Sequence, residues 1–209
     1  MKLVIATPSP YARKARVALR EKGLEHEETV DNPWNAGTQS PAHNPLGQVP
    51  ILLLDDGRTY YGSGVIVEFL DTVQSEPRMI PTDPQARVAV RQIEALADGI
   101  CDAVVLTVLE ESRKPELQSA DWVSRQAEKI SAGVAGLAEL LGDKDWLVGD
   151  GLTLADVAAD CTLGYIDIRL PDDGWRQRHP NLAAYSDRLE ARPAFAETQP
   201  KPQIIQQVS

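Results

Sequence analysis

The opening stretch, to about residue 75, constrains the fold most, because its hydrophobic period switches between strand and helix in a fixed order. Leu3 to Ala6 is a short apolar, strand-compatible run that breaks at Thr7-Pro8-Ser9-Pro10. From Tyr11 the spacing turns helical, with Tyr11, Ala15, Ala18 and Leu19 on one face. Lys22-Gly23 closes that helix, Glu27 to Val30 offers a second short strand, and Asn32 to Pro45 is loop-rich. Strand, crossover helix and strand predict parallel pairing. Pro50 to Leu54 and Thr59 to Tyr61 flank Asp55-Asp56-Gly57-Arg58, whose Asp-Gly pair predicts an antiparallel hairpin. Ser63 then stands where a helix begins, with Val65, Ile66, Phe69, Leu70 and Val73 along one side.

The pattern changes after a segment, 77–84, that holds three prolines. Beyond it we expect helices alone. Ile93, Leu96, Ala97, Ile100, Cys101 and Val104 form one apolar face, and Val123, Ala127, Ile130, Val134, Leu137 and Leu141 another. Thr153 can cap a helix whose third residue, Asp156, reaches back to it, and Leu154, Val157, Ala158, Cys161 and Tyr165 give that helix a buried face. The expected division is therefore a mixed domain at 1–76, a linker at 77–84 and an all-helical domain at 85–209.

Several function classes are disfavoured. A net charge of −10 argues against binding a phosphate backbone, which draws on clustered Lys and Arg. Cys101 and Cys161 form no CxxC, and with His26, His43 and His179 they give no metal-ligand spacing, so we expect neither a metal nor a disulfide framework. No run of about 18 apolar residues is present to span a membrane, and the amino terminus lacks a secretory h-region. A cytoplasmic protein with no nucleic-acid or membrane partner is the expectation.

The order βαβ then ββα is the thioredoxin-like arrangement, and the loop before its first helix is where such domains keep CxxC. Here that loop is Ser9-Pro10-Tyr11-Ala12, with no sulfur. Dithiol chemistry is excluded. What remains is a hydroxyl at a helix N-terminus, where the partial positive dipole and free N–H groups favour an anion, and such a hydroxyl can donate to a thiolate.

Four places together resemble the cytosolic glutathione transferases over essentially the whole chain. Ser9 to Leu19 is similar to the serine-type active-site loop and first helix of zeta-, theta- and related bacterial members, which implies Ser9 as the catalytic serine and places Tyr11 beside it. Asn44-Pro45-Leu46-Gly47-Gln48-Val49-Pro50 resembles the NPxGxVP element, whose Val-Pro bond is cis in the family and which implies that Gln48, Val49 and Pro50 contact glutathione. Tyr61-Gly62-Ser63-Gly64-Val65-Ile66 occupies the place of the acid-Ser-x-x-Ile element that holds the γ-glutamyl group. Ser63 matches, whereas Gly62 replaces the acid, removing a charge-assisted bond of about 1.5 to 3 kcal/mol. Thr153-Leu154-Ala155-Asp156 is similar to the family's buried capping box.

The resemblance implies a thioredoxin-like domain followed by an all-helical one, with glutathione as co-substrate, a small electrophile as second substrate, and a homodimer in which Asp98 reaches the partner subunit's glutathione ammonium. Trp34, Asn35 and Gln48 are candidates for the glycyl end. A second-substrate pocket is expected around Gly99, Ala103, Leu106, Thr107 and Glu110, with Tyr165 nearby, while Arg13, Lys14 and Arg16 are expected on a solvated face or a dimer contact. The implied activity is conjugation of the thiol to an electrophile. The alternatives are a maleylacetoacetate-type isomerase, although Pro10 and Tyr11 replace the zeta loop's second serine and its cysteine, and a non-catalytic dimeric scaffold.

Overall fold

The computed structural model describes residues 1–203. Its first half is β1 (Lys2–Ile5), α1 (Pro10–Glu21), β2 (Glu27–Val30), β3 (Ile51–Leu53), β4 (Thr59–Tyr61) and α2 (Ser63–Val73). The sheet order is β2-β1-β3-β4; β1 and β2 run parallel, and the other two pairings are antiparallel. This is a thioredoxin-like sheet. Its register sets Leu3 beside Leu52, both fully buried. The second half is helical: α3 (Pro84–Glu111), α4 (Ala120–Leu141), α5 (Leu154–Arg169), α6 (Trp175–Arg178), α7 (Pro180–Glu190) and α8 (Pro193–Ala196).

Helix α1 starts where the sequence supplies a start. Ser9 caps it, its Oγ accepting the Ala12 N–H at 3.1 Å, and Pro10 fills the first turn, where its missing N–H is not needed. The helix is packed on more sides than its apolar stripe suggests. Arg13 and Lys14 are 1% and 2% exposed, which corrects the expectation of a solvated face. Arg13 donates to Glu190 at 2.7 Å and to the Phe195 carbonyl at 3.1 Å, in space left by Gly164, where a β-carbon would lie 2.6 Å from its Nη1. Arg16 binds Glu28 and the Thr198 carbonyl. The cause is position: α1 lies between the sheet and the helical half, so charges on its outer face meet α3, α7 and the C-terminal segment.

The proline-rich connection is also packed. Met79 and Ile80 are buried, and their N–H groups donate to Asp71 at 3.0 and 2.8 Å, beside a Lys22–Asp71 ion pair of 2.7 Å. Helix α5 forms the centre of the helical half, with every residue from Leu154 to Leu163 buried. Its capping box is complete: Asp156 accepts the Thr153 N–H at 2.8 Å and the Thr153 hydroxyl at 2.9 Å. The face expected on α4 holds at Ile130, Val134, Leu137 and Leu141, but at its start Gln126 is buried and Ala127 exposed.

Candidate functional site

A cavity of about 690 Å³ opens between the two halves. Its floor is built by three loop-to-element junctions. At the first, the chain leaves β1 and turns, with the Ser9 N–H donating to the Ala6 carbonyl at 3.0 Å, so that Ser9 reaches the wall at the head of α1. The Ser9 oxygen accepts from Ala12, which leaves its own proton for a donor bond. Tyr11 lies beside it, but its hydroxyl is engaged by Asp102 in a short hydrogen bond. Burial, then Cys101 and the Asp102 carboxylate, push the Tyr11 phenol far above its ordinary value, so it stays protonated and committed to Asp102.

At the second junction Asn44, 3% exposed, rivets the loop before β3. Its side-chain amide donates to the Gln48 carbonyl at 2.8 Å and its oxygen accepts the Leu46 N–H at 3.0 Å. Gly47 turns with φ +62, and Val49-Pro50 is cis. Gln48, Val49 and Pro50 all line the cavity. Across from them lie Asn32 and Trp34; Asn35 is not on the wall. The loop bearing these residues is held by Asp31, whose Oδ2 accepts from the Ser40 hydroxyl and N–H, Thr38 and Gln39. Burial raises the Asp31 carboxyl, but these donors, Ser40 first, outweigh it and leave it below the ordinary range.

The third junction is the start of α2. Gly62 caps it at φ +83, and Ser63, 6% exposed, opens the helix at the cavity wall. Gly64 matters for what it lacks. A β-carbon there would sit 2.4 Å from Glu94 Oε1 and 3.0 Å from Arg91 Nη1, so its absence lets two charged groups of α3 lie over the N-terminus of α2.

The remaining wall is α3 and α5. From α3 come Arg91, Glu94, Ala95, Asp98, Asp102 and Val105, spaced as one helical face, and from α5 come Tyr165 and Arg169. Asp98 faces its own chain's cavity and takes a 2.6 Å ion pair from Lys14, which also meets Glu94 at 3.4 Å. Burial raises the Asp98 carboxyl against the pull of Lys14. The expected pocket residues fall elsewhere. Gly99, Ala103, Leu106, Thr107 and Glu110 are not on the described wall: Ala103 and Thr107 are buried in the helix packing, Gly99 and Leu106 are exposed, and Glu110 binds Arg113 and the Ser119 N–H. Periodicity locates the buried arc of α3 but not which of its two edges meets this cavity. The charges at 91, 94, 98 and 102, three or four apart, were the signal available.

Comparison with known proteins fits this geometry. Residues 8–73 match the model of the glutathione S-transferase N-terminal domain and residues 120–188 that of the C-terminal domain. The chain is 38% identical over 200 residues to the uncharacterized GST-like protein YibF of Escherichia coli, covering 96% of this chain and 98% of that one. The chain belongs to the glutathione S-transferase family.

Solved glutathione S-transferases carry the likeness into three dimensions. One from Methylobacterium radiotolerans, in complex with glutathione sulfonate, is 50% identical with a TM-score of 0.96, covering 100% of this chain and 98% of its own. One from Methylobacillus flagellatus, with glutathione bound, is 38% identical with a TM-score of 0.93, covering 96% and 99%. A maleylacetoacetate isomerase of Pseudomonas aeruginosa is 30% identical over 96% of each chain. Those two solved structures hold glutathione sulfonate and glutathione, and the cavity here has room for a ligand of that kind. It is large enough for a tripeptide, with a hydroxyl donor at one helix start, a serine and open N–H groups at another, and carboxylates close by. Among the described residues no group of His, Cys, Asp and Glu is placed to hold a metal, and no helix is long and apolar enough to cross a membrane.

Proposed function

We propose that the protein binds glutathione in this cavity, holds its sulfur as thiolate through Ser9, and directs it at a small electrophile. The observation that carries this reading is the Ser9 hydroxyl, which stands on the wall at the head of α1 with its oxygen accepting from Ala12 and its proton free to donate. A thiol near pKa ~8.5 is only a few per cent ionised at neutral pH. Lowering it by two units requires about 2.7 kcal/mol of preferential thiolate stabilisation, within reach of a hydroxyl donor and a helix N-terminus acting together. The γ-glutamyl carboxylate suits Ser63 and the first N–H groups of α2. Its ammonium suits Glu94 and Asp98 of the same chain, in place of the acid that position 62 lacks. Val49 serves the cysteinyl backbone, and Trp34 and Gln48 the glycyl end.

The test is calorimetric titration with glutathione of the wild type and of Ser9→Ala, with thiolate absorbance followed against pH. We expect both to bind, the thiolate absorbance to fall in the variant, and kcat/KM with a reactive electrophile to drop by about tenfold to a thousandfold. Absence of wild-type binding at millimolar glutathione would overturn the reading and leave the dimeric scaffold.

The similarity to an isomerase favours a second use of the same thiolate, in which glutathione adds to a maleyl-type diacid and is released again. Pro10 and Tyr11 stand where the zeta loop has serine and cysteine, and Tyr11 is engaged by Asp102, so conjugation is preferred. Assay of both reactions on one preparation separates them. A homodimer is part of the reading; Val65 and Val88 expose 55% and 66% of their surface on α2 and α3, and sedimentation would test it.

A further inference from the structure

The head of α1 is tied to α3 by adjacent links. The Tyr11 hydroxyl donates to Asp102, and Lys14, a turn further along α1, pairs with Asp98 at 2.6 Å and with Glu94 at 3.4 Å. Asp98 and Asp102 lie a turn apart on one face of α3, so the links form neighbouring rungs between the two helices. Lys14 also stands 5.8 Å from the centre of the Tyr11 ring. The Lys14 rung explains itself: a cation 2% exposed needs carboxylates beside it. The Tyr11 rung does not. Asp102 is exposed on the cavity wall, where water satisfies a carboxylate, and among the described residues no Lys or Arg forms an ion pair with it. It nevertheless takes the phenol of a residue from the other half of the molecule.

What this rung holds is the first turn of α1, the turn that Ser9 caps. The other ties of Ser9 are local. Its N–H donates to the Ala6 carbonyl at 3.0 Å and its Oγ accepts from Ala12 at 3.1 Å, and both bonds travel with the loop and the helix head. Neither fixes that head against the helical half. A hydroxyl donor works over a narrow range of distance and angle, and a misplacement of about 1 Å in a catalytic group costs on the order of a hundredfold in rate. We propose that Asp102 is a positioning residue: by holding the Tyr11 hydroxyl it fixes the first turn of α1, and with it the aim of the Ser9 proton at the glutathione sulfur. The inference rests on the thiol-activating reading of Ser9 and names the part of the helical half that this reading needs. Tyr11 is not itself the sulfur's donor, because its proton is committed to Asp102. Asp102 acts through Tyr11 and Ser9 and does not touch the sulfur.

The experiment follows the thiolate absorbance of bound glutathione against pH, with kcat and KM for a reactive electrophile, in the wild type, Ser9→Ala, Tyr11→Phe, Asp102→Leu, Asp102→Asn and the Ser9→Ala/Tyr11→Phe double variant. Tyr11→Phe and Asp102→Leu should each raise the midpoint of thiolate formation by about half a pH unit or more and lower kcat by about threefold or more, with the KM for glutathione little changed. The sign is diagnostic, since removing a nearby carboxylate's charge by itself favours the thiolate and lowers the midpoint. Asp102→Asn, whose amide oxygen still accepts from the phenol, should not raise it. Against Ser9→Ala, Tyr11→Phe should add nothing. An unchanged midpoint in Tyr11→Phe overturns the proposal, as does a rise that persists in full in the double variant or one as large in Asp102→Asn as in Asp102→Leu. A lower midpoint in Asp102→Leu also overturns it, because the freed phenol then serves the sulfur directly. If Asp102→Leu does not fold by circular dichroism, Tyr11→Phe, which keeps the ring, decides together with Asp102→Asn. If the midpoint rises in Ser9→Ala and not in Tyr11→Phe, only this inference falls; if wild-type glutathione shows no lowered midpoint, the thiol-activating reading falls with it.

Discussion

Gly62 holds φ +83 and ψ 118, a backbone that a residue with a β-carbon adopts only at a cost of about 1 to 2 kcal/mol. Glycine relaxes the cap of α2 and gives up the carboxylate that the family element carries there, while Glu94 comes over the neighbouring Gly64 from α3. Gly62→Asp should therefore lower stability by about 1 to 2 kcal/mol in denaturant unfolding and tighten glutathione by severalfold in calorimetry. No tightening would mean that Glu94 already satisfies the ammonium. At this scale the sequence was informative where a residue sits in a rigid local motif. Ser9, Val49, Pro50 and Ser63 were legible because a cap, a turn or a proline fixes their surroundings. The positions of Glu94, Asp102 and Arg169 on the wall were not, since they depend on which helix edge the other half of the molecule covers.

Elements were easier to foresee than their faces. The Asp56-Gly57 turn, with Gly57 at φ +88, joins β3 to β4 as its composition required, and Thr153 and Asp156 cap α5. What the spacing understated was the depth of α5. Asp156 is fully buried and accepts four hydrogen bonds: from the Thr153 N–H and hydroxyl, from the Leu147 N–H at 2.9 Å, and from the Tyr185 hydroxyl at 2.7 Å. A capping box recognised from sequence is thus also the tie between α5, α7 and the segment before α5. Asp156→Ala strands all four donors, and we expect a loss of about 3 kcal/mol or more, read as a lower denaturant midpoint at unchanged slope.

Across the whole molecule the two halves meet through charge as well as apolar packing. Arg13 of α1 reaches Glu190 of α7, and Asp160 of α5 lies in the same cluster with Cys161, accepting the Ser186 hydroxyl at 2.6 Å. Burial pushes the Asp160 carboxyl up to about 8, with Glu190 adding to the shift and Arg13 and Ser186 opposing it. The unfolded value is about 3.9. A carboxyl raised on folding contributes stability that is full below the unfolded value and is lost as pH rises through the folded one. Asp160→Asn, which mimics the protonated form, should flatten the fall in unfolding free energy between about pH 5 and 8; an unchanged slope would place the titration elsewhere. The two ends of the described chain lie very differently with respect to the cavity. Lys201 exchanges backbone and side-chain bonds with Thr7, just ahead of Ser9, and Gln203 lines the cavity, while Met1 pairs with Asp55 at the opposite end of β1. An affinity tag or surface tether joined directly at Gln203 therefore sets out from the cavity wall, where it competes with incoming ligand. Placed before Met1, the same handle starts a strand's length away, which makes the amino terminus the side from which to immobilise this protein for any binding assay.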